Sequence, residues 1–210
     1  MKIFIASDLH GSAEYCRQMI EAFAAEKADK ILLLGDILYH GPRNNLPESY
    51  SPKEVVKLLD AVKDKVICVC GNCDADIDRA VLPFPVVSDL GVIFADGLNI
   101  YFAHGHKGEP PLAKGDVYLT GHSHVPLNVV ENGVHLLNPG SLALPKDGSR
   151  HAYMVYENRK FTFKDLSGET YDEIEIPEPV VEEPAPEEPA KEAPVARPHI
   201  VRRKFVVRRR

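Results

Sequence analysis

The first half of the chain alternates continuous apolar runs with amphipathic segments. The runs KIFIAS, KILLLGD and KVICVCGN stay apolar until they reach polar turns, which is typical of strands covered on both faces. After the first run, Cys16, Met19, Ile20 and Phe23 recur at helical spacing, and Ser12 can cap this helix. The segment SPKE predicts the start of a second helix. This order of elements predicts parallel strands joined by right-handed crossovers.

The second half is rich in short strands separated by turn signals. GVIFADGLNIYFAHG indicates two strands joined by a turn, and further strands are predicted in DVYLTGHS, PLNVVENGVHLLNPGS and HAYMVYENRKFTFKDL. The dipeptide Asn132-Gly133 is typical of a hairpin turn. Together the two halves predict a fold of class α/β (α+β), with two sheets packed face to face and helices outside.

The composition changes at about residue 171. EIPEPVVEEPAPEEPAKEAPVARP is rich in proline, glutamate and alanine, and RPHIVRRKFVVRRR is basic. The first of these segments cannot bury enough apolar surface to offset its ordering entropy. We therefore expect a globular domain over residues 1–170 and a disordered tail over residues 171–210. The basic end of the tail is a candidate for binding an anionic partner.

The overall composition excludes several classes of protein. The 210 residues are 44% hydrophobic and 27% charged, which is ordinary for a globular protein. A net charge of -6 argues against nucleic-acid binding by the whole fold. No apolar run approaches the roughly 20 residues that span a bilayer, and the start lacks the pattern of a signal peptide. We therefore expect a cytoplasmic protein without a membrane span, whose four cysteines stay reduced.

Five polar clusters follow predicted strand ends or lie in turns, namely SDLHG, GD, GNCD, HGH and GHSH. Each cluster alone is typical of a strand end or a capped turn. Because sites in open α/β sheets form outside the carboxyl ends of strands, the five clusters can converge in space. In extended backbone, residues two apart point the same way, which would pair Asp8 with His10 and His122 with His124.

The residue types in these clusters indicate a metal site. Aspartates, histidines and one asparagine form a mixed nitrogen and oxygen donor set that suits Mn, Fe, Zn or a similar divalent ion. One carboxylate can bridge two ions that lie about 3.5–4 Å apart, and Asp36 is the candidate for this role. Two divalent ions would leave a positive field that favours a hydroxide and an anionic phosphate.

The order D-x-H, G-D, G-N-x-D, H-G-H and G-H-x-H resembles the calcineurin-like metallophosphoesterases over about residues 1–166. The stretch NPGS also recurs in that family. The resemblance implies a two-sheet sandwich flanked by helices on both outer sides. It also implies a phosphodiesterase that hydrolyses a small phosphodiester by attack of a metal-bridging hydroxide. The cofactors would be two divalent ions per chain, with manganese favoured and Fe, Zn, Ni or Mg as alternatives.

The resemblance also implies roles for individual residues. The first ion would be held by Asp8, His10, Asp36 and His124, and the second by Asp36, Asn72, His104 and His122. Asn72, Cys73 and His104 would be the catalytic residues. Asp74 and His106 would orient neighbouring groups without binding metal.

The stretch CGNCD departs from the family, because Cys73 stands where the family has a histidine. Taken alone, Cys70 and Cys73 would form a redox or metal-thiolate motif. However, Cys70 fits the preceding strand as a small residue, and no thioredoxin-like order of elements is visible. A neutral thiol is a poor proton donor compared with histidine. Cys73 is therefore either merely tolerated or shapes the choice of substrate.

Two further residues are candidates for substrate binding. Arg43 and Asn44 follow the GD strand and could reach the mouth of the site, where an arginine can hold a phosphate oxygen. The alternative is a solvated loop charge. The chain could also be a non-catalytic, protein-binding scaffold on the same fold, or an adaptor that acts through its basic tail. A homo-oligomer is compatible with the resemblance.

Overall fold

Two β-sheets pack face to face in the computed structural model, which describes residues 1–87 and 89–178. The strands in chain order are β1 (Ile3–Ala6), β2 (Lys30–Leu33), β3 (Val66–Val69), β4 (Val86–Val87), β5 (Gly91–Ala95), β6 (Leu98–Phe102), β7 (Val117–Leu119), β8 (Leu127–Glu131), β9 (Val134–Asn138), β10 (Ala152–Glu157), β11 (Lys160–Asp165) and β12 (Thr170–Glu175). The helices are α1 (Ala13–Glu26), α2 (Pro52–Asp60) and α3 (Asp76–Val81), with a 3₁₀ turn at Lys63–Lys65. The predicted class, a mixed α/β fold with two sheets, is confirmed.

The first sheet combines a parallel and an antiparallel half. Its strand order is β12-β11-β10-β1-β2-β3-β4. Strands β1 to β4 run parallel, as the alternation of strands and helices predicted. Strands β10 to β12 continue the sheet in antiparallel pairs beyond β1. The carboxyl ends of β1, β2 and β3 therefore lie side by side at one edge.

The second sheet has the order β5-β6-β7-β9-β8. The hairpins β5–β6 and β8–β9 are antiparallel, as their turn signals indicated. Strand β7 instead pairs in parallel with both β6 and β9. A parallel pair needs a long crossover, and residues 103–116 supply it between β6 and β7. The carboxyl ends of β6 and β7 therefore lie side by side at one edge of the second sheet.

Apolar side chains fill two layers around the first sheet. Between the sheets, Ile5 and Leu32 meet Ile100 and Leu119, all four nearly or fully buried. On the other face, α1 and α2 pack on the first sheet through a second apolar cluster, which contains Cys16, Met19, Val55 and Leu59. Helix α1 begins where predicted, since the Ser12 side chain accepts the Tyr15 N–H. In the part of the chain that the structure describes, no helix is long and apolar enough to cross a membrane.

The outer face of the second sheet differs from the expected helical layer. Tyr118, Val134 and Leu136 form a small cluster there with Leu112 of the crossover, and no described helix contributes to it. The Tyr118 hydroxyl donates to the carbonyl of Gly108 at 3.2 Å. The crossover segment GHKGEPPLAKG contains three glycines and two prolines, which disfavour a helix. A loop therefore covers this face.

The folded domain extends beyond the expected boundary at residue 170. Thr170–Glu175 forms β12, which pairs with β11, and Ile176 is 3% exposed. Tyr171 and Ile174 pack against the core between the sheets. These apolar residues alternate with charged ones, so the composition of the segment hid its strand. The remainder of the expected tail, residues 179–210, lies outside the described residues.

A pair of truncations tests this boundary. We expect a chain that ends at Glu169 to lose about 3 kcal/mol of stability relative to a chain that ends at Glu178, because it loses the apolar burial of β12 and Ile176. The midpoint of thermal unfolding, followed by circular dichroism, should fall by about 10 °C. The chain that ends at Glu178 should turn over a small substrate at nearly the rate of the full chain. Equal midpoints for the two truncations would contradict the assignment of β12 to the domain.

Candidate metal centre

The predicted ligands lie just after strand ends, at one edge of the sandwich. Asp8, Asp36 and Asn72 follow the parallel strands β1, β2 and β3, and His104 follows β6. His122 and His124 follow β7. These side chains converge because the carboxyl ends of parallel strands lie at the same edge of a sheet, where sites are expected to form.

The backbone of these loops is unusual. Asp8, His10, Asp36, His122 and His124 all have positive φ, between 49° and 66°. We expected extended backbone to point Asp8 and His10 the same way, and likewise His122 and His124. This reason is wrong, because all four residues have left-handed rather than extended backbone. Such conformations are costly for residues other than glycine and persist where the surroundings enforce them.

The first group of converging donor atoms comes from Asp8, His10 and His124. Their metal-ligating atoms lie within 4.8 Å of one another. The Nε2 atoms of His10 and His124 are 3.1 Å apart. Asp8 Oδ1 lies 3.3 Å from His124 Nε2 and 3.6 Å from His10 Nε2. Asp8 is fully buried, and among the described residues this oxygen has no hydrogen-bond donor.

The second group surrounds Asp36. Its Oδ2 lies 3.3 Å from His104 Nε2 and 3.7 Å from His10 Nε2, so this carboxylate faces both groups. His104 Nε2 also lies 3.0 Å from Asn72 Oδ1. The ring centroid of His122 is 5.1 Å from that of His104. Asp36 is therefore central to the cluster.

Hydrogen bonds to backbone carbonyls fix the tautomers of three of these histidines. The Nδ1 atoms of His10, His104 and His124 donate to the carbonyls of Tyr39, Leu34 and Leu144 at 2.8, 2.7 and 2.6 Å. A carbonyl only accepts, so each Nδ1 carries a proton, and each ring, when it is neutral, directs its Nε2 lone pair into the cluster. Lone pairs and carboxylate oxygens that face one another repel unless a proton or a cation lies between them. The donor set therefore fits a divalent metal ion.

The charges within the cluster point the same way. Burial opposes ionisation of Asp8, but the neighbouring His10 and His124 rings outweigh it and hold its pKa well below the ordinary value. Burial also opposes ionisation of Asp36, and the contact with His104 outweighs it and lowers the pKa. Burial by itself would lower the pKa of His104, but the neighbouring Asp36 and Asp8 outweigh burial and raise this pKa to about 9, so a proton on the ring offsets the carboxylates until a cation replaces it. At neutral pH the two carboxylates are negative and draw positive charge into the cluster.

Asp74 organises the backbone around Asp36. Its carboxylate accepts the N–H groups of Asp36, Ile37 and Gly71 at 2.8, 2.8 and 2.7 Å. Burial raises the pKa of Asp74 above its ordinary value, although these three donors act in the opposite direction. Asp36 Oδ1 in turn accepts the Cys73 N–H at 2.8 Å. A Cβ atom on Gly71 would lie 2.1 Å from Asp36 Oδ1, so this loop packs directly on the bridging candidate.

The NPGS stretch holds two further loops. Ser141 Oγ donates to the Asp8 carbonyl at 2.8 Å, and Asn138 Nδ2 donates to the Gly121 carbonyl at 2.7 Å. These bonds link the loop after β1 to the loop after β7. His106 lies nearby, with its ring centroid 5.5 Å from that of His104. Within the described residues, however, His106 makes no hydrogen bond to a predicted ligand, and its Nδ1 is buried without a partner.

The two thiols of CGNCD have different surroundings. Cys70 directs its thiol to the carbonyls of Gly71 and Asp74, at 3.5 and 3.6 Å. Cys73 Sγ groups with the donor atoms of His10 and Asp36. Burial, followed by the negative charge of Asp36, raises the pKa of the Cys73 thiol to about 12. Cys73 is therefore a neutral thiol beside the candidate metal centre at neutral pH, and both cysteines are free.

A cavity of about 770 Å³ opens onto this cluster. The predicted residues Arg43, Asn44, Asn72, Cys73 and Asp74 line it, together with Asp36, His122 and His124. Among the lining residues that sequence reasoning missed, Tyr39 and Lys146 have the largest polar side chains. Tyr39 lies three residues beyond Asp36, and Lys146 lies five residues beyond the NPGS stretch. Proximity to a motif was the only signal that could have found them.

This chain is similar in sequence and in fold to known proteins. The profile of the calcineurin-like phosphoesterase superfamily domain matches residues 1–160. Phosphodiesterase YfcE of Escherichia coli is 38% identical over 162 residues, which are 75% of this chain and 88% of that protein. The solved structure of YfcE, a phosphoesterase from E. coli, has a TM-score of 0.81 at 35% identity and covers 84% of this chain and 100% of that chain. These matches confirm the resemblance that the motifs indicated.

The fold is also similar to that of more distantly related proteins. Vps29 of Entamoeba histolytica, in a structure with zinc, has a TM-score of 0.57 at 18% identity and covers 84% of this chain and 100% of that chain. At this identity the match shows the likeness of fold alone.

Replacement of Asp74 tests whether it positions Asp36. In Asp74→Asn, one amide oxygen must serve three N–H donors, and the amide NH₂ then faces at least one of them. We expect a loss of about 1–3 kcal/mol in the free energy of unfolding, from a donor left unsatisfied. We also expect metal affinity to fall about 10–100-fold, measured by titration with Mn²⁺. Asp76→Asn, at an exposed carboxylate paired with Arg79, is the matched control. Equal metal affinity in the two variants would contradict the positioning role.

Proposed function

The chain belongs to the calcineurin-like phosphoesterase superfamily, and on that premise we propose that it is a phosphodiesterase that uses two divalent metal ions. The observation that carries the proposal is the convergence of buried carboxylate oxygens and histidine Nε2 lone pairs on one cavity. Divalent metals follow from the family, whereas their number and identity belong to the proposal. The name of the similar protein, phosphodiesterase YfcE, supports a diester as substrate.

The two groups of donor atoms suggest which residues would hold each ion. We assign the first ion to Asp8, His10, Asp36 and His124, and the second to Asp36, Asn72, His104 and His122. When bound, the two ions would supply a nucleophilic hydroxide at neutral pH and offset the negative charge that develops on phosphorus-bound oxygens. Manganese is the ion that we propose, with Fe, Zn, Ni and Mg as the alternatives.

The protein itself contributes orientation and charge. Asp74 fixes the backbone of Asp36, and the Cys73 N–H fixes the carboxylate of Asp36. The three backbone carbonyls fix the rings of His10, His104 and His124. Arg43 lines the cavity and is placed to hold a phosphate oxygen of the substrate. Such preorganisation lets the groups act without rearrangement during the reaction.

Cys73 shapes the class of diester that the site handles well. Its neutral thiol is a weak proton donor, so the leaving oxygen would depart without a proton. Aryl diesters, whose leaving groups are weak bases, suit such a site better than alkyl diesters. A Cβ atom on Gly41 would lie 2.9 Å from Cys73 Sγ, so the loop that carries Arg43 packs directly on this thiol. The small side chain thus also sets the width of the cavity.

The second candidate function is a protein-binding scaffold on the same fold. A scaffold can lose metal ligands without penalty, whereas this chain has a nitrogen or oxygen donor at every one of the predicted ligand positions. The clustering of these donors in a cavity favours catalysis over the scaffold. A homo-oligomer, a partner for the basic tail and a cytoplasmic location stay predictions.

Asp36→Asn tests the proposed bridge between the two ions. The amide has one acceptor oxygen, so we expect hydrolysis of bis(p-nitrophenyl) phosphate to fall by about 10³-fold, the upper end of the range for loss of one preorganised group. Metal content, measured by elemental analysis, should fall, while the circular dichroism spectrum stays the same. The matched control is Asp60→Asn, at an exposed carboxylate on α2. Two tightly held ions in a fully active Asp36→Asn variant would rule out the bridge. Chelation should inactivate the wild type, and Mn²⁺ should restore it.

Replacements of Cys73 test the role of the weak acid. Cys73→His supplies an imidazole at the position where the family has one. A positioned general acid contributes about 10²–10⁴-fold, chiefly when the leaving group is a basic alkoxide. We therefore expect the variant to gain more on alkyl or nucleotide diesters than on aryl diesters, measured as kcat/KM for each. Cys73→Ser should behave much like the wild type. Loss of all activity in Cys73→Ser with metals still bound would make the thiol a direct participant.

A further inference from the structure

Lys146 lines the same cavity as the candidate metal centre, although it lies outside every motif. Its backbone is tied to a predicted ligand, because its N–H donates to the His124 carbonyl at 3.3 Å. The carbonyl of Lys146 accepts the Ser149 N–H at 2.9 Å and the Ser149 hydroxyl at 2.6 Å. The segment from Leu144 to Ser149 therefore wraps around His124 and places Lys146 at the rim of the cavity.

The charge of Lys146 is not neutralised by the protein. Within residues 1–87 and 89–178, neither Lys146 nor Arg43 forms an ion pair. The lysines of another groove, at the edge of the first sheet, behave differently. There Lys2 pairs with Glu26 at 2.9 Å, and Lys160 pairs with Glu173 at 2.8 Å. The metal-facing cavity therefore carries two cations without a carboxylate partner among the described residues.

These two cations exceed what a simple phosphodiester needs. A phosphodiester carries a single negative charge, and Arg43 is already placed to hold its oxygen. A second cation in the same cavity is available to attract a further anionic group beside the diester. The cavity of about 770 Å³ lies within the range of pockets that hold whole ligands, so it has room for more than one phosphate.

We propose that Lys146 binds a second anionic group on the substrate, so that the preferred substrates are phosphodiesters that also carry a phosphate or carboxylate. This inference rests on the proposed function. It extends that function by naming a specificity residue and a substrate class. A lysine suits this role because its ammonium is a compact charge on a flexible stem, and it can reach anions of several shapes.

A matched pair of esters tests the inference. The first is the p-nitrophenyl ester of thymidine 5′-phosphate, which carries only the diester charge. The second is the same ester with an added 3′-phosphate. Both esters release p-nitrophenolate, so a difference in rate between them does not come from the leaving group. A hydrogen bond between charged groups predicts that the full-length, Mn²⁺-loaded wild type prefers the second ester by about tenfold in kcat/KM.

Variants of Lys146 assign the preference to its charge. We expect Lys146→Met to lose about tenfold on the 3′-phosphorylated ester and clearly less on the simple ester, so that the preference largely disappears. Lys146→Arg should keep the preference, and Lys114→Met, at an exposed lysine of the crossover loop, should leave both rates unchanged. A binding measurement adds a readout without turnover. The inhibition constant of thymidine 3′,5′-bisphosphate should rise about tenfold in Lys146→Met, and that of thymidine 5′-phosphate should rise less.

The possible outcomes distinguish failure of the role of Lys146 from failure of the proposed phosphodiesterase function. A wild type that hydrolyses both esters equally, or a Lys146→Met variant that keeps the full preference, would overturn the role of Lys146 and leave the phosphodiesterase intact. A metal-loaded wild type that releases p-nitrophenolate from neither ester, nor from bis(p-nitrophenyl) phosphate, would overturn the proposed function and the inference with it.

Discussion

The position of the Asp36 carboxylate is the constraint on which the rest of the site depends. One of its oxygens accepts the Cys73 N–H, and the other faces the Nε2 atoms of His104 and His10. Asp74 holds the backbone of the same residue from behind. Because Asp36 follows a buried strand and has positive φ, the packing of the first sheet decides where its charge lies. A shift of this loop would separate the two groups of donor atoms.

The electrostatics of the cluster explain why a cation belongs there. Two buried carboxylates and three histidine lone pairs meet in a region with little access to water. Buried charge is expensive unless it is paired or coordinates a metal. The pKa of Asp8 is held low and that of His104 is raised to about 9, so the charge of the carboxylates is offset either by a proton on His104 or by a bound cation that displaces it. The stability of these loops and the binding of metal are therefore coupled, since ligands of this kind bind metal only when they are deprotonated.

The substrate side of the cavity is built from two loops. The loop from Tyr39 to Asn44 packs on Cys73 through Gly41, which has a φ of 80° and no room for a Cβ atom. The segment from Leu144 to Ser149 wraps around His124. Both loops begin next to predicted ligands and carry cations into the cavity. The candidate metal centre and the rim of the cavity are thus connected, because contacts with the predicted ligands hold both loops, and these loops carry the residues that we propose to select the substrate.

The sequence by itself determined the fold class and the parallel core strands, because apolar runs carry that information locally, and its motifs predicted the ligands through their resemblance to the family. It could not show that Asp8, His10 and Asp36 adopt left-handed backbone, since that conformation comes from packing between loops. It placed the end of the domain at residue 170, because the charged residues of β12 masked the apolar side chains that reach the core. It gave no signal for Lys146, whose position depends on the hydrogen bond between its backbone and His124. Contacts between residues far apart in the chain decided each of these features, and only the tertiary structure contains them.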